Sequence, residues 1–224
     1  MRCAAVASCV ASAVVCAGLM AQSASAGFVN PYIPGWAQGP NTQYAAWESF
    51  SNAVGGANLP DQAGSNAFSL FNFAPGAFIT GTGNLYGAGS PLYIMVTGGT
   101  LGNNQSPLEV VFNVATAGLT IAPGSVRLTL FDNFGNLVSY TPTVADLRYD
   151  APAVPLGSVQ NIAYTWSNLN PGFAASGWRI EFGASGSNMS LDAARVDLLY
   201  VPAPSALALL ATAGLSQRGR SRRR

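Results

Sequence analysis

The residues LFDNFGNLVSY (130–140) place two short apolar runs on either side of a tip, Asp132-Asn133-Phe134-Gly135-Asn136. Asp, Asn and Gly tolerate positive φ, so this stretch reads as an antiparallel β-hairpin. Outward from it the same alternation recurs. Toward the C-terminus lie VQNIAYTWSN (159–168), GWRIEFGAS (177–185) and LDAARVDLLYV (191–201). In each, one alternate set is apolar: Ile162, Tyr164 and Trp166; Trp178, Ile180 and Phe182; Ala194, Val196 and Leu198. Period two with one apolar set marks strands that share a core. Toward the N-terminus NAFSLFNF (66–73), PLYIMVTG (91–98), LEVVFNV (108–114) and SVRLTLF (125–131) read likewise, as does LVSYTPT (137–143) beyond the tip. Segments rich in Gly, Pro, Asn or Ser divide them.

Further upstream, GFVNPYIPGWAQG (27–39) is a Pro- and Gly-punctuated, irregular entry segment. In NTQYAAWESFSNAVGG (41–56), Tyr44, Trp47, Phe50 and Val54 recur at helical spacing ahead of Gly55-Gly56, but the strand-rich surroundings favour a short strand. Eight to ten strands without a convincing helix require two packed antiparallel sheets, because a single sheet would leave one apolar face wet. The fold expected is all-β: an antiparallel, jelly-roll-like β-sandwich spanning residues 27–200, with an immunoglobulin-type sandwich as the other candidate.

The 224 residues are 49% hydrophobic and only 8% charged, against roughly a quarter charged in an average soluble domain. Arg2, Arg218, Arg220, Arg222, Arg223 and Arg224 all lie in the terminal segments. Between them Arg127, Arg148, Arg179 and Arg195 face nine carboxylates, a formal charge of −5. An acidic body repels phosphate backbones, which argues against nucleic acid as a partner. The chain has no His and no Lys, and its three cysteines, Cys3, Cys9 and Cys16, sit near the start.

The first residues, MRCAAVASCVASAVVCAGLMAQSASAG, combine one positive charge, an apolar stretch from Ala4 to Met20 and the small-residue end Ala24-Ser25-Ala26. That is the three-part plan of a secretory signal peptide covering residues 1–26, and it predicts cleavage by signal peptidase after Ala26. The alternatives are an uncleaved membrane helix and a lipoprotein cut at Cys16. At the other end Ser205–Leu215 is a short apolar run, followed by five arginines within residues 218–224. Arginines beside an apolar segment are held on the cytoplasmic side of a membrane. Eleven helical residues reach about 16 Å, short of a hydrocarbon core of about 30 Å, so a transient hold before processing is expected rather than a permanent anchor.

Pro202-Ala203-Pro204, the apolar run and the Arg cluster that ends Arg222-Arg223-Arg224 together resemble the PEP-CTERM sorting signal of bacteria that make extracellular polysaccharide. The resemblance covers residues 201–224 and departs from the family at Ala203, where its name places Glu. It implies processing by an exosortase-type membrane protease, and delivery through the inner membrane to the cell surface or surrounding matrix. It implies nothing about the activity of the domain itself.

Absences narrow the chemistry. Without an imidazole there is no Ser-His-Asp triad, without Lys no Ser-Lys dyad, and zinc sites lack their usual ligands. Paired-carboxylate glycoside chemistry survives, although nothing marks two carboxylates as facing each other. Sugar binding is the leading expectation, with Trp36 and Trp47 as candidate stacking residues, while Trp166 and Trp178 alternate with core positions. Calcium needs only oxygen ligands. Glu48, in AWESF, and Asp192, opening the last strand, resemble positions where jelly-roll carbohydrate-binding modules hold a structural Ca²⁺. Asp192 shares the parity of Ala194 and Val196 and is expected to point inward, while Asp61 and Asp132 read as turn residues. The chain is thus expected to be an exported, noncatalytic surface or matrix β-sandwich that binds extracellular polysaccharide. A carboxylate-dependent glycan-processing enzyme and a purely structural surface protein are the alternatives.

Overall fold

Alternating apolar residues make each strand one-sided, and the strands bury those sides against each other in two sheets. The computed structural model describes residues 27–64, 68–100, 105–152 and 157–200. The cleavage residues Ala24 and Ala26 and the sorting residues Pro202, Ala203, Pro204, Arg222, Arg223 and Arg224 lie outside the described residues. Among the described residues there is no helix. The strands are β1 (Thr42–Trp47), β2 (Gln62–Ala63), β3 (Phe68–Asn72), β4 (Ala77–Ile79), β5 (Leu85–Gly87), β6 (Tyr93–Gly99) and β7 (Pro107–Gly118). They continue with β8 (Arg127–Phe131), β9 (Leu137–Tyr140), β10 (Val144–Pro152), β11 (Ser158–Trp166), β12 (Gly177–Gly183) and β13 (Met189–Tyr200). The larger sheet runs β10-β11-β7-β13-β1-β2, with β5 also on β13 and β4 on β5; the smaller runs β3-β6-β12-β8-β9.

The pairings follow one rule. β8 pairs β9, β7 pairs β11, β6 pairs β12 and β1 pairs β13, all antiparallel. The chain is therefore one long hairpin, closed at residues 132–136 and rolled so that its successive rungs fall alternately in the two sheets. This nesting is the jelly roll, and it decides against the immunoglobulin alternative. The tip is built as its sequence predicts: Asp132 N donates to Asn136 O, Gly135 takes φ 91°, and one Asp132 oxygen accepts from the amides of Phe134 and Asn136.

The alternating sets named from sequence meet in the core, where all are buried except half-buried Ile162, which packs against it. Phe112 and Phe182 bridge the sheets with ring centroids 5.6 Å apart. Each fully buried large side chain contributes roughly 1.5–3 kcal/mol. Within the smaller sheet Phe68 and Trp178 both pair with Gly98, and their rings meet above it at 5.6 Å. A Cβ on Gly98 would come within 2.7 Å of the Phe68 ring and 2.8 Å of the Trp178 ring, so the rings need glycine there.

The outer faces of the two sheets differ. On the larger sheet Val111, Asn113, Ala115, Asn161, Ala163, Ala193 and Asp197 point outward and are still buried. The entry segment crosses them as a strap. Asn30 exchanges hydrogen bonds with Arg148 on β10, Tyr32 exchanges backbone bonds with the Asn113 amide on β7, and the Trp36 indole donates to Glu109. Beneath it Arg195 makes two bonds to Asp197, at 2.8 and 2.7 Å, and lies over the Tyr44 ring. A charge pair this buried persists because both partners are hydrogen-bonded.

Candidate functional site

With the central strands of the larger sheet covered, a continuous open face remains on the outer side of the smaller one. Its character is set by β3 and β6, which are apolar on both parities. Phe68 and Leu70, and Ile94 and Val96, fill the core, while Phe71, Phe73 just past β3, Tyr93 and Met95 take the solvent side. Phe71 and Phe73 stack nearly parallel, centroids 6.0 Å apart at 9°, and Phe73 meets Tyr93 at 6.2 Å and 45°. Phe73 is 46% and Tyr93 45% exposed, so the ring strip is open to solvent. Buried Asn72 holds it in place. Its amide donates to the Ala53 and Ala74 carbonyls, and its Oδ1 accepts from the backbone N–H groups of Ala74 and Tyr93.

Polar groups continue the strip. The Tyr93 hydroxyl donates to Glu181 Oε1 at 2.8 Å, and Arg179 Nε lies 3.3 Å from Glu181 Oε2 as an ion pair. The hydrogen bond to Glu181, then burial, push the Tyr93 phenol above its ordinary range, so it stays a proton donor. Arg127 stands directly across from Glu181 on β8 and is exposed. Apolar ring faces beside a hydroxyl, a carboxylate and guanidinium groups make a surface that can lie against the C–H face of a sugar ring while bonding its hydroxyls. Among the strand positions of this face Glu181 is the sole carboxylate.

The residues expected from sequence fall elsewhere. Trp47 is a correction: it is 0% exposed, and its indole donates to Asn58 O at 3.0 Å inside the core. In a strand its parity is that of Ala45, not of outward-facing Tyr44, so the helical spacing of Tyr44 and Trp47 does not put them on one side. Trp36 is half-buried in the strap on the other sheet, 3.2 Å from Glu109. Glu48 is exposed, and its backbone N–H and that of Ser49 are held by Asp61, whose carboxylate thus ties its loop to the end of β1 rather than capping a turn of its own. Asp192 is also a correction. The register shifts between Leu191 and Ala193, and this β-bulge reverses the parity, so that Leu191 enters the core and Asp192 leaves it. Its Oδ1 accepts from the Ser190 hydroxyl and the Asn84 amide, both at 2.7 Å. Burial pushes the Asp192 carboxyl above its usual range against the pull of those two bonds. Among the described residues no group of three or more His, Cys, Asp or Glu side chains is placed to hold a metal ion.

The outward aromatics are phenylalanine and tyrosine, outside the set of tryptophans that the sequence offers as stacking candidates. The available signal is that LYIMV is apolar at five consecutive positions and that FSLFNF carries Phe71 and Phe73 on the parity opposite to Phe68 and Leu70, more apolar residues than one buried face requires.

No protein-family model matches the chain, and no curated protein does. Among solved structures, the enzymatically active domain of tailspike protein 4 of bacteriophage CBA120 aligns with a TM-score of 0.30 and 13% identity, over 72% of this chain and 20% of that one. The chain thus spans a fifth of that structure's length. The fold assignment rests on the strand pairing, which makes the described residues an antiparallel jelly-roll β-sandwich.

Proposed function

We propose that this protein is an exported, noncatalytic jelly-roll domain of the cell surface or extracellular matrix that binds extracellular polysaccharide across the Phe71–Phe73–Tyr93 strip. The observation that carries the reading is an uncovered sheet face on which the rings of Phe71 and Phe73 run into Tyr93, Glu181 and Arg179. Exposed aromatic side chains gain nothing for folding from their solvent-facing surface, whereas a ligand that covers them recovers it. The terminal segments supply the route: signal peptidase acting after Ala26, then an exosortase-type protease acting on the Pro202-Ala203-Pro204 signal.

Affinity electrophoresis of the purified chain through gels carrying bacterial exopolysaccharides tests the binding. Retardation is expected to be lost in Phe73→Ala/Tyr93→Ala while the melting temperature moves little. Retardation unchanged in that variant, or absent for every polysaccharide tried, would overturn the reading. Fractionation of an exosortase-bearing host tests the route separately, the expected product being an extracellular chain that lacks both terminal segments.

A further inference from the structure

The closed end of the long hairpin carries an anomaly. Phe134 is 92% exposed, the most exposed of the large apolar side chains among the described residues. It is also held still. Asp132 Oδ1 accepts from the Phe134 and Asn136 amides, and Oδ2 from the Asn136 side chain. A large ring presented on a pinned loop costs little ordering entropy when it binds, which is the economy of a pre-organised anchor.

The open end of the same hairpin carries a hole. A cleft of about 340 Å³ lies where β8 begins and β9 ends, walled by Ile121, Pro123, Val126, Pro142, Ala145 and Tyr164. An engineered apolar cavity of about 150 Å³ takes up benzene, so this cleft has room for a phenyl ring. Its walls are apolar save for Thr141 and the Tyr164 phenol, and burial pushes that phenol up to about 12, so it stays uncharged. Ring and cleft cannot meet within one molecule. The five residues of β8 separate them by about 17 Å of paired strand. Charge matches too: acidic Asp132 lies at the tip, and exposed Arg127, next to Val126 of the cleft, has no carboxylate partner among the described residues.

We propose that copies of this chain associate head to tail, the Phe134 of one seated in the cleft of the next. A contact between two different patches passes from one copy to the next, building open chains or, where the rotation closes, rings. The occupant is therefore a second copy of this protein. The contact uses neither Phe73 nor Tyr93; Arg127 is the one residue it shares with the glycan face, and the Phe73→Ala/Tyr93→Ala pair leaves it in place.

Sedimentation velocity on the exported chain over a concentration series tests it. The wild type is expected to shift from monomer toward dimers and longer species as concentration rises, whereas Phe134→Ser and Ala145→Trp, the latter filling the cleft, each stay monomeric. Their equimolar mixture is expected to give dimers and nothing longer, since one variant keeps the hole and the other the ring. Thr141→Trp, at an exposed wall position, replaces Ala145→Trp if the latter does not fold. A wild type that stays monomeric throughout, association that survives in Phe134→Ser, or a mixture with no dimer would each overturn the proposal.

Discussion

Replacing Trp47 separates a core residue from a ligand contact. The side chain is fully buried, and its indole N–H donates to Asn58 O, a carbonyl that also accepts from Leu70 N at 3.0 Å. In Trp47→Phe that carbonyl keeps one of its two bonds, so the loss is an ordinary net hydrogen bond, about 1 kcal/mol, and not the larger cost of an orphaned group. The missing ring atoms and the gap they leave add about 1–2 kcal/mol, since the surrounding strands relax only in part. The sum, about 2–3 kcal/mol, corresponds to a fall in melting temperature of roughly 4–12 °C for a domain of this size. Trp47→Ala removes the whole ring and is expected to cost about 3–5 kcal/mol. Thermal and urea unfolding measure both, and polysaccharide retardation is measured on the same preparations below their melting points. The expected outcome is lowered stability with unchanged retardation. A Trp47→Phe protein as stable as wild type, or one of normal stability that no longer binds glycan, would refute the placement of Trp47 in the core.

Three further outcomes follow from the charged groups. The raised carboxyl of Asp192 means that the folded state holds its proton more tightly than the unfolded chain, so its ionisation withdraws stability as pH rises from the ordinary carboxylate range through the folded value. Asp192→Asn keeps an oxygen for both Ser190 and Asn84, so urea unfolding should find it at least as stable as wild type at neutral pH, with the difference vanishing in acid; a stabilisation by Ca²⁺ in wild type alone would instead revive a calcium role. Asp132 runs the other way: the Asn136 side-chain bond, aided by the loop amides, holds its carboxyl low, so its contribution is present above the ordinary range and lost as pH falls through the depressed value. Asp132→Ala should therefore speed amide exchange across 132–136 at neutral pH, with the difference from wild type shrinking in strong acid. Finally, Asp197→Ala leaves Arg195 under the strap without its carboxylate, at a cost of about 3 kcal/mol, the low end for a buried pair because Arg195 keeps 13% exposure. Adding Arg195→Met to Asp197→Leu should recover most of that loss in denaturant unfolding.

The inner face of this fold was legible because burial selects for it. Trp178, Ile180 and Phe182 alternate with Arg179 and Glu181 since one set faces the core and the other water. β10 was illegible for the converse reason. It is an edge strand whose residues are exposed or half-buried along its whole length, so VADLRYDAP shows no apolar alternation to read. The short β2, β4 and β5 owe their form to their partners rather than to any pattern of their own. The bulge at Asp192 has no local signature, since an extra residue changes which side a carboxylate faces without changing the letters around it. The Phe71–Phe73–Tyr93 strip was half legible: the excess of apolar residues in β3 and β6 can be seen, but not that two strands distant in sequence bring the rings together.

The rolled hairpin also fixes how the two ends relate to the proposed glycan face. Thr42 pairs with Leu199, and Tyr200 N donates to Asn41 O, so the chain enters the roll and leaves it side by side on the larger sheet. The strap then carries the entry segment across the outer side of that same sheet, as far as Arg148 on β10. Any membrane hold exerted through residues 201–224 would therefore act on the larger sheet and leave the outer face of the smaller sheet unencumbered. If the proposed tethering holds, Phe73 and Tyr93 would stay accessible before processing as well as after it. Glycan capture by the still-tethered form, abolished by the same Phe73→Ala/Tyr93→Ala pair, is the consequence that a face turned toward the membrane could not produce.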